Sequence, residues 1–234
     1  MERIAITGAN RGLGLALAQL YAARGDHVLA FCRQPESAEE LRHLAAHSAG
    51  RVKVIALDIA DDASIAAAAQ EASTQVEALD VLIHNAGINR TPNTRGLQTV
   101  TRQALITMID NNAVSPVMLT AALAPLLQRS ARPRIVMISS QMGSLSFVRS
   151  GENYGYTMSK AAMNMAARVM ASELGAQGVI TITTHPGWVR TAMGGTDAEL
   201  SSQESAAGLA ALIDRLTPED NGKFFKWNGE IHAW

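Results

Sequence analysis

"RIAITGANRGLGLALAQLYAARG" occupies residues 3–25. Its first five residues, "RIAIT", are mostly apolar with β-branched side chains, as a buried strand requires. Its last thirteen, "LGLALAQLYAARG", are rich in Leu and Ala, the residues that lose least on entering a helix. Between strand and helix stand Gly8, Gly12 and Gly14 in the pattern TG-x-x-x-G-x-G, with Asn10, Arg11 and Leu13 filling the loop. Glycine permits positive φ and lets the main chain approach a bulky anion with no Cβ in the way. The helix start beyond it offers unpaired N–H groups and the positive end of a dipole, which suits a pyrophosphate. The spacing differs from G-x-G-x-x-G, and the Gly-Lys-Ser/Thr of the Walker loop is missing. A tight turn that binds nothing would also use glycine, so the stretch has to be weighed with the rest of the chain.

The same alternation continues. Further strand candidates are "HVLAFC" (27–32), "VKVIALD" (52–58), "VLIHNA" (81–86), "RIVMIS" (134–139), "TITTHP" (181–186) and "KFFKW" (223–227), with helical stretches such as "TMSKAAMNMAARVMASELGAQG" between them. Strands that are apolar nearly throughout belong in a parallel sheet covered on both faces. Alternating β and α elements then predict one α/β domain over residues 1–234, a Rossmann-like doubly wound sheet of about seven parallel strands. At 234 residues, 47% hydrophobic and 18% charged, the chain suits one packed core. A net charge of −1 points to neither nucleic acid nor a membrane surface. The single cysteine, Cys32, excludes an intrachain disulfide and fits a reducing compartment. With a strand beginning almost at residue 1, and no apolar run approaching about 20 residues, the expectation is a cytoplasmic protein. The segment "TAMGGTDAELSSQE" (191–204) is rich in small residues and reads as a mobile flap.

The end of the second strand bears on the choice of nucleotide. An NAD-specific site places Asp or Glu there for the ribose 2′-hydroxyl. Here "AFCRQ" carries Cys32 and Arg33 and no acid, with Arg11 in the glycine loop on the same side. Two guanidiniums can grip a 2′-phosphate, so NADP(H) is favoured over NAD(H). Asp58 either accepts from an adenine amino group or caps the next helix. Asp61 and Asp62 are the better caps, which leaves Asp58, with Ile59 behind it, to the cofactor. Asn85-Ala86-Gly87 closes the fourth strand with small residues that would let the chain pass close beneath a bound cofactor.

The fifth strand ends in "IVMISSQMG", setting Ser139 and Ser140 at the carboxyl edge of the sheet, where open α/β sheets bind ligands. "YGYTMSK" (154–160) follows. On a helix, Tyr156 and Lys160 share a face at i and i+4, whereas Tyr154 and Lys160, six apart, do not. An ammonium beside a phenol, joined by an oxidised nicotinamide, favours phenolate and lowers a pKa that is ordinarily about 10. This suits hydride transfer with matched proton transfer, C=O to CH–OH and back, on a small carbonyl or alcohol. No His, Cys or Asp cluster has metal-ligand spacing. His27, His43, His47, His185 and His232 lack partners at catalytic spacing and read as structural or surface residues. Met158, Met163, Met165 and Met170 read as core or interface.

With "TGANRGLG", "NAG", "SS", "YTMSK" and "HPGWVRT" in this order and spacing, the chain resembles the short-chain dehydrogenase/reductase family over its whole length. "FCRQP", "HPGWVRTAMGG" and "LIDRLTPEDNGKFFKWNGEIHAW" are similar to the C-factor and sniffer-like NADPH carbonyl reductases within it. The resemblance implies Tyr156 as acid-base, with Lys160 as its partner and as a holder of the nicotinamide ribose. It implies Ser140, the second of the pair, as the catalytic serine and leaves Ser139 to local bonding. In "MIDNNAVSPVML" the family's asparagine falls on Asn111 or Asn112, and the pattern N-x-x-x-P favours Asn112, supporting a water-mediated proton path. Pro186, Gly187, Val189 and Thr191 match the segment that contacts the nicotinamide amide and phosphates. His84 stands where many members carry asparagine, and fifteen residues separate Ser140 from Tyr156, implying a larger substrate loop, "QMGSLSFVRSGENYG". Tyr154, placed ahead of the helix, is a candidate for the substrate mouth. Met142, Phe147, Trp188 and Met193 are candidates for an apolar wall. Oligomeric state is not fixed by the sequence, and a homodimer or homotetramer is compatible with it. A signalling or regulatory protein that binds the cofactor with little turnover is the competing expectation.

Overall fold

The computed structural model describes residues 1–89, 92–147 and 153–234. Seven strands form one parallel sheet in the order β3-β2-β1-β4-β5-β6-β7: β1 Arg3–Thr7, β2 His27–Cys32, β3 Val52–Ala56, β4 Val81–His84, β5 Arg134–Ile138, β6 Ile180–His185 and β7 Phe224–Lys226. Among the described residues, seven α-helices connect them: α1 Gly12–Ala23, α2 Glu39–Ala46, α3 Asp62–Gln75, α4 Arg102–Ile109, α5 Ser115–Leu127, α6 Tyr154–Gly175 and α7 Ser202–Arg215. The order reverses at β1, which pairs with β2 on one side and β4 on the other. That reversal opens a crevice above the carboxyl ends of these two strands.

The two-residue period of the strands divides the core into two layers. Ile4, Ile6, Val28, Ala30, Val81, Ile83, Val136 and Ile138 pack with α1 and α7. Ala5, Leu29, Ile55, Leu82, Ile135 and Met137 pack with α3, α5 and α6. Truncating a fully buried leucine such as Leu82 to alanine would cost about 2–5 kcal/mol. Met163 and Met170 belong to the second layer, whereas Met158 and Met165 are exposed.

Several boundaries differ from the sequence expectation. β4 stops at His84 because the Thr7 hydroxyl takes the N–H groups of Asn85 (3.0 Å) and Ala86 (2.9 Å). β3 stops at Ala56, and Asp58 sits in the turn beyond it. α6 starts at Tyr154, earlier than expected, because the Asn153 side chain caps it by accepting from Tyr156 N–H at 3.3 Å. Tyr154 therefore lies on the helix and not ahead of it. The segment 191–204 is a series of turns bounded by a Val189–Leu200 bridge, and its last three residues form the first turn of α7. There Ser201 and Glu204 complete a reciprocal cap. Residues 148–152 of the expected substrate loop lie outside the described residues. No helix among the described residues is long and apolar enough to cross a membrane.

Candidate active site

A cleft of about 950 Å³ runs along the carboxyl edge of the sheet. At one end the glycine loop supplies Gly8, Asn10, Arg11, Gly12 and Leu13 to its wall. Gly8 and Gly12 have φ of +66° and +55°, which only glycine adopts freely. Gly14 lies behind them, where a Cβ would come within 2.3 Å of the Gly8 carbonyl, so α1 can seat only on a glycine. α1 has no side-chain cap and no acid in its first turn. Its leading N–H groups therefore face the cleft without a competing carboxylate.

Arg33 lines the cleft with Gln34 and Ser37, and Arg11 faces the same end. Asp58 and Ile59 form the next part of the wall. The helix cap considered for Asp58 belongs instead to Asp61, whose carboxylate accepts from Ala63 N–H at 3.1 Å. Asp58 accepts from Ala60 N–H at 3.2 Å within its own turn. Asn85, Ala86 and Gly87 form the floor, and the Asn85 amide donates to the carbonyls of Thr7 (2.9 Å) and Gly8 (3.3 Å). The opposite wall is Pro186, Gly187, Val189 and Thr191, joined by Trp188 and Met193. The Trp188 indole N–H donates to the Gly194 carbonyl at 2.8 Å, which folds this wall back on itself.

Ser140, Tyr156, Lys160 and Asn112 come together at the other end. Ser140 follows β5, and its hydroxyl accepts from Met142 N–H at 3.1 Å, opening a short 3₁₀ turn at Gln141–Gly143. With one lone pair so engaged, its proton remains available to a neighbour. That neighbour is Tyr156, which burial pushes above the ordinary tyrosine range while the hydrogen bond with Ser140 pulls it down. Burial prevails, so Tyr156 holds its proton more firmly than a free phenol. The Lys160 ammonium lies 5.8 Å from the Tyr156 ring centroid, one turn further along α6. It donates to the Ile138 carbonyl at 2.9 Å, and burial lowers its pKa to about 8.

Between α4 and α5, residues Asp110–Val114 widen into a π-helical turn. This turn points the two asparagines differently. Asn112 is fully buried: its Oδ1 accepts from Ile88 N–H (2.8 Å), and its amide donates to Ile88 O (2.8 Å) and Ser159 Oγ (2.9 Å). A Cβ on Gly87 would lie 3.1 Å from Asn112 Oδ1 and 3.5 Å from Lys160 Nζ, which places both side chains beneath that glycine. Asn111 lines the cleft and donates to Thr107 O. The Ser139 hydroxyl donates to the Lys160 carbonyl on α6 at 3.5 Å, and Ser139 also lines the cleft.

α6 is held by two further glycines. A Cβ on Gly143 would lie 2.8 Å from the Lys160 main chain, and one on Gly155 would lie 2.7 Å from Thr94. The Lys160 main chain therefore abuts Gly143, and Gly155 abuts the Thr94 side chain, with no room for a methyl group at either glycine. His84 is fully buried, with its Nε2 2.8 Å from the Thr120 hydroxyl. Burial lowers its pKa to about 3, so it packs as neutral imidazole.

Sequence reasoning missed Thr7, whose hydroxyl anchors the cleft floor, although it directly precedes Gly8. It also assigned His185 to structure or surface, whereas His185 lines the cleft beside Ser139. Their proximity arises from β5–β6 pairing, which linear spacing does not reveal. Tyr154 does not line the cleft.

The chain is similar to several known proteins. The 41% identical C-signal of Myxococcus xanthus matches over 156 residues, 67% of this chain and 93% of that protein. A crystal structure of an NADPH-bound carbonyl reductase from chicken fatty liver superposes with a TM-score of 0.95 at 32% identity, covering 100% of this chain and 99% of that one. The carbonyl reductase Sniffer of D. melanogaster gives 0.91 at 33% identity, with both chains fully covered. The family model for short chain dehydrogenases matches residues 2–201. The chain is an enzyme of the short chain dehydrogenase family.

Proposed function

We propose that this enzyme is an NADP(H)-dependent carbonyl reductase, interconverting C=O and CH–OH on a small molecule with Tyr156 as acid-base. The observation that carries the proposal is one continuous cleft with two phosphate-compatible arginines at one end and Ser140 and Tyr156 at the other, with Lys160 buried 5.8 Å from the Tyr156 ring centroid. The cleft residues fit a dinucleotide: glycines where a Cβ would fill the cradle, an uncapped helix start, and Cys32-Arg33-Gln34 in place of an acid at the end of β2. Gly8, Asn10, Arg11, Gly12 and Leu13 would hold the pyrophosphate, with Gly14 keeping α1 close. Arg11 and Arg33 would hold a 2′-phosphate, and Asp58 and Ile59 would flank the adenine. Asn85, Ala86, Gly87, Pro186, Gly187, Val189 and Thr191 would enclose the nicotinamide half. When bound, the cofactor supplies or accepts the hydride.

The protein's own part is the proton. Ser140 orients the carbonyl oxygen, using the hydroxyl proton that Met142 N–H leaves free. Tyr156 gives its phenolic proton to that oxygen as negative charge develops. Its raised pKa keeps the phenol protonated at neutral pH, as a reductive direction requires. Lys160, cationic below about pH 8, stabilises the phenolate that follows. Asn112 fixes the Ile88 main chain beside this path. A binding protein without turnover would have no use for an acid hydroxyl paired with a buried lysine. Tyr156→Phe removes one oxygen and keeps the ring. NADPH affinity should stay within about twofold while kcat falls about 10²–10⁴-fold, the range of general acid-base groups. Undiminished turnover in that variant would overturn the assignment.

A further inference from the structure

Beyond β7 the chain reverses at Asn228 and Gly229 and runs back across Phe224. Phe225 and Ile231 form an antiparallel bridge, and His232 N–H donates to Phe224 O at 2.7 Å. The His232 ring stacks on Phe224 with centroids 4.7 Å apart. It meets Phe147 and His185 edge-on at 6.1 Å and 6.0 Å. Trp234 lies 5.2 Å from Phe224 and faces the Arg168 guanidinium at 5.7 Å. Ala233 and Trp234 then reach the loop that follows Ser140. The Ser144 hydroxyl donates to Ala233 O at 2.8 Å. Ser146 donates to Trp234 O twice, from its N–H at 3.0 Å and its hydroxyl at 2.7 Å.

The turn leading into this loop is pinned to α6, where the Asn164 amide donates to Gly143 O at 3.0 Å. Beyond it Leu145 is 83% exposed, while Ser144 is buried with its hydroxyl on the tail. The same loop nevertheless carries Gln141 and Met142 into the cleft wall immediately after Ser140. Displacing it by about 1 Å would move that wall against the reacting groups, a misplacement large enough to alter rates substantially.

We infer that residues 231–234 are a strap that fixes the loop at 144–147 and thereby sets the size of carbonyl compound admitted beside Ser140 and Tyr156. Ser144, Ser146, His232 and Trp234 are positioning residues, since none of them lines the cleft. The size-selecting half rests on the carbonyl reductase reading, and the strap itself does not. The test uses the full chain with Trp234→Ala and, as a milder change at an exposed site, Ser146→Ala. Three quantities are read: amide hydrogen exchange over 144–147, NADPH affinity, and kcat/KM on a small aliphatic aldehyde and a bulky aromatic ketone. Exchange at the Ser146 amide should accelerate about tenfold in Trp234→Ala and less in Ser146→Ala. The ratio of the two kcat/KM values should move toward one by about threefold or more, through KM, with NADPH affinity within about twofold. Unchanged exchange in both variants overturns the strap. Faster exchange with an unchanged ratio, or a wild-type ratio of one, overturns the size-selecting role. Should wild-type protein reduce neither compound, the carbonyl reductase reading fails, and exchange at Ser146 still decides the strap.

Discussion

The two edges of this sheet treat charge in opposite ways. At the amino edge, charges are paired. Asp80 receives the Arg3 main-chain N–H and two guanidinium N–H groups at 2.7–2.8 Å, together with the Ser130 hydroxyl. The fully buried Arg134 pairs with Glu2 and donates to the Arg132 and Ile213 carbonyls. Burial alone would raise the Asp80 pKa, but the hydrogen bonds from Arg3 and Ser130 overcome it and hold the group at about 2. At the carboxyl edge, ionisable groups are buried without such pairing and are driven toward neutrality. Lys160 falls to about 8, His185 falls to about 4 through burial and its cationic neighbourhood, and Tyr156 rises. One edge gains stability from its charges, and the other gives up stability by burying ionisable groups without counter-charges, which shifts their pKa values.

Lys160 should separate the edges most sharply. Lys160→Met keeps the apolar stem and removes the ammonium, so turnover should drop about 10²–10⁴-fold and NADPH should bind more weakly. Stability should not follow. The folded-state pKa near 8 lies below the ordinary 10.5, so between those values the unfolded chain binds more protons and wild-type stability rises with pH. The methionine variant should lack that rise, and its urea midpoint at pH 7 should equal or exceed that of wild type. A large loss of stability with normal turnover would reverse the comparison.

Asp80→Asn is the counterpart at the amino edge. It leaves Arg3 without its carboxylate and should cost about 2–3 kcal/mol, with kcat and KM unchanged. For a chain of this size that is about 2–4 °C in Tm per kcal/mol. The sign with pH follows from the depressed pKa. The Asp80 contribution, about 2 kcal/mol, is present above the unfolded value of 3.8 and is lost as pH falls through about 2. Acid titrations of wild type and variant should therefore converge in that window.

Arg33→Asp acts at the cofactor end, with a smaller effect. Losing a charge-assisted contact to a 2′-phosphate should cost about 1.5–3 kcal/mol, shifting NADPH over NADH discrimination by about tenfold or more. Equal affinity of wild type for both cofactors, measured by fluorescence titration, would remove the premise.

The carboxyl edge was more legible in the sequence than the amino edge, for a physical reason. Groups around a carboxyl-edge cleft sit at strand ends and helix starts, where glycine spacing and the i, i+4 rule apply, so Gly8, Gly12, Tyr156 and Lys160 stand out as letters. The Arg3–Asp80 pair joins residues 77 apart and has no local signature. Thr7, His185 and the tail contacts to Ser144 and Ser146 depend in the same way on which strands and loops the fold makes neighbours. The π-helical turn at 110–114, which separates the roles of Asn111 and Asn112, also leaves no mark in composition. The start of α6 was misjudged because Tyr and Gly are weak helix formers, although Asn153 gave a capping signal.

The smallest expected effect concerns the tyrosine two residues away. Residues at i and i+2 on a helix lie about 200° apart around its axis, so Tyr154 and Tyr156 face nearly opposite ways. Tyr156 is buried against Ser140, whereas Tyr154 is half-buried and off the cleft wall. Placing Tyr154 on α6 sharpens the contrast, because both tyrosines now share one rigid element and differ only in direction. Tyr154→Phe should change KM by less than about threefold, leave kcat intact, and move stability by no more than about 0.5 kcal/mol, as surface substitutions do. The opposite result, with Tyr154→Phe inactive and Tyr156→Phe active, would mean that the proton leaves from the other face of α6. Ser140 and Lys160 would then flank a phenol with no part in the chemistry.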